Sequence, residues 1–165
     1  MTRAAAMIAL AKEDLGKIGY LLGAKLGPGP LPLHPKVDCS GEMHRIVERA
    51  LLAYPLDLIT GCRGGVPVLM PTHEFLAKFQ GSAHQGDLCR KVPLAIALGP
   101  TGAGCFLFMR PKPDGHGHVA LSLGWGRTFE SRGSVGVCIV SAAKNLMRGW
   151  DYAGKVDSFF CEIAK

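Results

Sequence analysis

Val37-Asp38-Cys39-Ser40-Gly41 is the stretch on which the reading of this 165-residue chain turns. Beyond it, apolar residues fall at Met43, Ile46, Val47, Ala50, Leu51 and Tyr54, the i, i+3, i+4, i+7, i+8 spacing of one buried helical stripe. Asp38 and Ser40 are residue types that cap helix starts, and Gly41 lets other groups approach the backbone closely. The pattern therefore places Cys39 in the first turn of a helix. Unpaired backbone N–H groups and the positive end of the macrodipole favour an anion there, so a thiol in that place tends towards the nucleophilic thiolate. The alternative for any single cysteine is a buried small hydrophobe.

A second stretch, Gly117-His118-Val119-Ala120-Leu121-Ser122-Leu123-Gly124-Trp125-Gly126-Arg127-Thr128-Phe129-Glu130, supplies a base and a carboxylate. Its alternation turns Val119, Leu121 and Leu123 one way and His118, Ala120 and Ser122 the other, as in a strand. Gly124-Trp125-Gly126 is suited to a hairpin turn. If Leu123 and Arg127 close a three-residue turn, residue 120 faces residue 130, and His118 and Glu130 become diagonal neighbours on one face. A two- or four-residue turn would put Glu130 on the opposite face.

The remaining chain supports one domain, residues 1–165, by the length prior, with 48% hydrophobic residues to fill its core. The longest apolar runs are too short to cross a bilayer as a helix, so no membrane insertion is expected. Cys39, Cys62, Cys89, Cys105, Cys138 and Cys161 form no C-x-x-C pair, which suits free thiols in a reducing compartment. A net charge of +6 favours an anionic partner, but the basic residues are scattered, which argues against nucleic acid. Residues 1–11 imitate a secretory signal only faintly, and the helical pattern runs on through Lys12-Glu13-Asp14-Leu15.

In order, residues 4–22 read as a first helix, and the Gly27–Pro35 Pro/Gly run as a surface loop carrying an exposed His34. Thr72–Phe79 reads as a short helix capped by Thr72. Val92–Leu98, Cys105–Met109 and Val135–Val140 read as strands. Ala142–Met147 reads as a helix and Val156–Ile163 as a closing strand. His73, His84 and Cys89 match no usual zinc spacing. His116 and His118 lie one strand-period apart but lack a third ligand, so neither metal nor other cofactor is expected.

Nucleophilic thiol catalysis needs a thiolate, an imidazole that moves a proton, a polar group that fixes the ring, and donors for the oxyanion. Cys39, His118 and Glu130 could fill the first three roles. The Cys39 backbone N–H and the Tyr20 hydroxyl could serve the oxyanion, with Asp38 and Ser40 at its side.

These residues resemble the NlpC-type cell-wall cysteine peptidases. The likeness is carried by Asp38-Cys39-Ser40-Gly41, by Gly104-Cys105-Phe106-Leu107-Phe108-Met109 and by Gly117-His118-Val119-Ala120-Leu121-Ser122-Leu123-Gly124. The family's third catalytic position falls on Glu130. Its Tyr-x-Trp-Gly-Gly segment is reduced to Tyr20 and Gly23, and its strand aspartate is replaced by Ala103-Gly104. The resemblance implies an α+β fold with a papain-like core: N-terminal helices carry the nucleophile and pack on a central antiparallel β-sheet that carries the histidine and the third member.

It also implies a peptidoglycan hydrolase acting on stem-peptide amide bonds, typically between D-glutamate and the diamino acid, by a Cys/His/Glu mechanism. Such an enzyme would be made in the cytoplasm and delivered to the wall as a phage lysin, a tail hydrolase or an injected toxin. Peptidoglycan stem peptides would be its partners, together with delivery machinery or an immunity protein, and a monomer is expected. The rivals are an amidase or acyltransferase using the same triad, and a non-catalytic wall-binding module whose Cys39 is merely buried.

Overall fold

The computed structural model describes residues 1–113 and 115–164. Helix α2 (Cys39–Ala53) begins where the sequence pattern places it. The Asp38 side chain accepts from the Gly41 N–H at 2.7 Å, which supplies the missing partner of a first-turn donor. Met43, Ile46, Val47 and Ala50 are buried along the predicted stripe. They pack on a six-stranded sheet of order β5-β10-β6-β7-β8-β9, antiparallel throughout, with members β5 (Arg90–Val92), β6 (Phe106–Met109), β7 (His118–Gly124), β8 (Arg127–Arg132), β9 (Gly136–Val140) and β10 (Tyr152–Lys155).

Val119, Leu121, Leu123 and Phe129 join the α2 stripe in the larger core. Ala120, Leu107, Ala153 and Trp150 form a second core on the other face, closed by Ala97 of the short helix α5 (Leu94–Ala97). Both faces of the central strands are thus dry, which explains their nearly continuous apolar runs.

Several elements differ from the sequence pattern. Helix α1 (Arg3–Asp14) is shorter than residues 4–22, because Gly16 turns the chain at φ 70° and frees Gly19–Tyr20 to form strand β1. That strand pairs in parallel with β2 (Lys36–Val37), which leads directly into Asp38. The run at 92–98 is not one strand: β5 ends at Val92 and Pro93 opens α5, since proline cannot donate to a ladder but suits a helix start. Residues 156–163 carry a single 3₁₀ turn (Asp157–Phe159), and the closing strand is β10 instead. Helix α3 (Thr72–Lys78) follows Pro71 without a side-chain cap; the Thr72 hydroxyl donates to the Leu56 carbonyl.

Residues 60–104 are the least legible stretch of the sequence, and the structure opens that region with a hairpin, β3 (Leu58–Arg63) with β4 (Val66–Pro71), followed by α3 and α4 (Ser82–Leu88). Helix α6 (Ala142–Leu146) covers β8.

Helices α1 and α2 are joined through charged groups removed from water. Arg45 and Arg49 both reach Asp14 Oδ2 at 3.2 Å, and Arg45 also donates to the Gly27 and Gly29 carbonyls of the Pro/Gly loop. Glu42 lies fully buried beside them, and neither carboxyl oxygen has a donor among the described residues. Burial first, then the charge of Asp14 and a hydrogen bond to it, push the Glu42 carboxyl up to about 9, against the pull of Arg45 and Arg49. Glu42 therefore carries its proton at neutral pH.

A folded-state pKa raised above the unfolded one gives stability that is fully present below about pH 4.5 and lost as pH rises towards 9. Glu42→Gln keeps the shape and the neutral state without the linked proton. It is expected to raise Tm at pH 7 by roughly 5–10 °C, as a gain of about 2–3 kcal/mol would, and to change it little at pH 5. A calorimetric Tm difference that is the same at both values would contradict this.

Candidate active site

His118 opens β7 and Glu130 lies in the adjoining β8. Their pairing depends on a register the sequence pattern reaches by another route. The turn has two residues, Trp125 and Gly126, both left-handed at φ 56° and 75°, closed by Gly124 opposite Arg127. That turn alone would put Glu130 on the wrong face. An extra residue, Leu123, is taken up as a bulge between Ser122 and Gly124, and beyond it Ser122 pairs with Thr128 and Leu121 with Phe129. The register expected of a three-residue turn is thereby restored, and His118 Nε2 meets Glu130 Oε1 at 2.9 Å.

Cys39, only 8% exposed, stands at the start of α2, near enough to the His118 ring for its sulfur to act on the imidazole. Because Nε2 is engaged by Glu130, Nδ1 is the nitrogen left for sulfur. Two bonds fix the segment that carries the thiol. Ser131 Oγ of β8 donates to the Val37 carbonyl at 3.0 Å, and Asp38 Oδ2 accepts from the Gly23 N–H at 3.0 Å.

The electrostatics favour a charged pair. Burial alone would lower the His118 pKa, but hydrogen bonds to Cys39 and Glu130, and the charges on both, outweigh it and raise it to about 9. Burial likewise works against the Glu130 carboxylate, yet hydrogen bonds from His118, Arg148 and Thr128 hold it down at about 2. At neutral pH the imidazole is therefore protonated and the carboxylate ionised.

Tyr20, at the end of β1, lies close enough to Cys39 and Asp38 that burial, then those two charges, raise its phenol. It borders a shallow groove with Met109, His118, Ser131, Arg132, Gly133 and Arg148. Asp38 and Ser40 flank Cys39 at the start of α2. Both are buried, and Ser40 Oγ donates to Asp38 Oδ1 at 3.2 Å. Their carboxylate and hydroxyl are spent on building the helix start.

His34 and His116 are exposed loop residues. Among the described residues no cluster of three or more His, Cys, Asp or Glu could hold a metal ion. Sequence reasoning missed Arg148, Trp150, Thr128 and Asn145, which surround Glu130 and His118. One signal was available: a carboxylate assigned to a buried strand demands a cationic partner, and only basic residues could supply it.

A helix-borne cysteine packed on an antiparallel sheet that carries histidine and carboxylate defines the papain-like α+β class. Solved structures narrow it. The chain is similar to NlpC2 from Trichomonas vaginalis with a TM-score of 0.61 and 15% identity, over 94% of this chain and 46% of that one. NlpC1 from the same organism gives 0.60 and 18%, over 94% and 44%. The P60 domain of an antigen from M. avium subspecies paratuberculosis gives 0.59 and 22%, over 93% of both chains. The fold is thus of the NlpC/P60 type, and the chain spans less than half the length of the two Trichomonas proteins. No protein-family model and no curated protein matches the sequence.

Proposed function

We propose that this chain is a thiol-dependent peptidoglycan hydrolase that cleaves stem-peptide amide bonds, with Cys39 as nucleophile, His118 as acid and base and Glu130 as the group that orients the ring. The observation that supports the reading is the His118–Glu130 pair, 2.9 Å apart, with Cys39 at the start of α2 near enough to act on the imidazole. The NlpC/P60-type fold supports the substrate class. Arg132, whose side chain is 38% exposed beside the groove, and the net charge of +6 suit the carboxylates of stem peptides.

The Cys39 sulfur attacks the amide carbonyl carbon, and the oxyanion is met by the Cys39 N–H, which has no intrahelical acceptor, and by the Tyr20 hydroxyl. His118 gives its Nδ1 proton to the leaving amine as the C–N bond breaks, leaving a thioester. Neutral His118 then takes a proton from water, whose oxygen displaces sulfur, and the protonated ring and thiolate return. Throughout, Glu130 accepts the Nε2–H bond and offsets the ring's charge. The bond between D-glutamate and the diamino acid is the proposed target, and delivery by phage or interbacterial machinery would bring the protein to the wall.

An amidase with the same three residues is separated by its products. Digested peptidoglycan analysed by mass spectrometry should contain new diamino-acid N-termini. New L-alanine N-termini alone would instead assign an amidase.

A further inference from the structure

His118 is only one of the partners of Glu130, whose side chain is wholly buried. Arg148, in the segment after α6, reaches it with two nitrogens, Nη2 to Oε1 at 2.8 Å and Nη1 to Oε2 at 2.9 Å. Thr128 Oγ1 donates to Oε2 at 2.7 Å, Arg132 Nε stands 3.7 Å from Oε1, and Cys138 of β9 lies opposite. A two-pronged guanidinium fixes the rotation of a carboxylate as well as its place, which a lysine ammonium cannot do.

Arg148 is itself held from behind. Its Nη1 donates to Asn145 Oδ1 at 3.1 Å, and its guanidinium lies over the Trp150 ring at 4.6 Å. Trp150 stacks on the His118 ring, with centroids 5.9 Å apart and planes 24° apart, and donates Nε1 to Asn145 Oδ1 at 3.4 Å. Asn145 Nδ2 in turn donates to Thr128 Oγ1 at 3.1 Å. The contacts close a ring: imidazole, indole, guanidinium, carboxylate and back to imidazole.

We propose that Arg148 is a positioning residue of this site, holding Glu130 charge-balanced and aimed at His118, so that Cys39, His118, Glu130 and Arg148 work as one unit. A buried carboxyl deprived of its cation takes up a proton. Protonated Glu130 no longer offers His118 a negative partner, and the ring loses the bond that leaves Nδ1 facing sulfur. The consequence for catalysis rests on the hydrolase reading above. The consequence for Glu130 ionisation does not.

Carboxyl ¹³C NMR of glutamate-labelled protein tests this, with the Glu130 signal assigned by its loss in Glu130→Gln. In wild type that signal should remain a carboxylate's throughout the acid range in which the protein is folded. In Arg148→Met its titration should move up by at least about one pH unit, and in Arg148→Lys by less. On isolated walls kcat should fall roughly 100-fold in Arg148→Met, with KM little changed and partial recovery in Arg148→Lys. Should the methionine variant not fold, the lysine variant carries the test, because loss of the two-pronged bond must still move the titration. A Glu130 titration unmoved by either substitution would overturn the proposal. Walls left intact by wild type would count against the substrate reading alone, with the NMR outcome standing.

Discussion

His118→Ala is expected to lower hydrolysis by about four orders of magnitude or more, with the protein still folded. In the proposed mechanism the substitution removes the proton donor to the leaving amine, the base for thioester hydrolysis and the cation beside sulfur. Because these act in sequence on one reaction, their loss is not partial. Arg148 still pairs Glu130 in this variant, so the buried carboxylate keeps a cation.

The pH dependence carries a sign. A histidine raised from 6.5 to about 9 stabilises the folded state fully below pH 6.5, and that contribution is lost as pH rises through 9. The gap in Tm between wild type and His118→Ala should therefore narrow between pH 6 and pH 9. Turbidity clearing of purified walls and melting at the two pH values measure both effects; near-wild-type clearing would exclude His118 from the chemistry.

Glu130→Ala is expected to have the largest effect on stability, about 3–5 kcal/mol, because it strands the Arg148 guanidinium and His118 in a buried site. Activity should fall by roughly 100-fold or more, since the ring loses its orienting bond and its counter-charge. The wild-type contribution of Glu130 has the opposite pH sign to that of His118. Its carboxyl is held down at about 2, so its stabilisation is present above about pH 4.5 and lost as pH falls towards 2. Denaturant unfolding of wild type and Glu130→Ala at pH 7 and pH 3 should show a difference that shrinks in acid. A constant difference would mean that the charge of Glu130 is not what stabilises the site.

What the sequence made legible follows from how local each signal is. The α2 stripe and its cap lie within seventeen consecutive residues, Asp38 to Tyr54, and the strand alternation of His118–Leu123 within six, so both survive without tertiary information. The hairpin shows the limit. Its register follows from the residues expected to face each other, but a two-residue turn and a bulge at Leu123 produce it, and turn and bulge cancel in a way that no composition signal marks.

Pro93 was a readable breaker inside an apolar run, and the run's hydrophobicity obscured it. Residues 58–88 build a hairpin and two short helices whose pairing is settled by contacts with one another. Arg148 and Trp150 belong to an aperiodic tail, and only the burial of Glu130, known once the sheet is folded, gives them their place.

The most direct measurement of the central claim is digestion of a soluble stem peptide, L-Ala–γ-D-Glu–diamino acid–D-Ala, by wild type and by Cys39→Ala side by side, with products followed by mass spectrometry. Wild type should release the diamino-acid fragment with a free N-terminus, and Cys39→Ala, folded and with an unchanged melting profile, should release none. The same fragment appearing at a comparable rate from Cys39→Ala would contradict a thiol mechanism at this site.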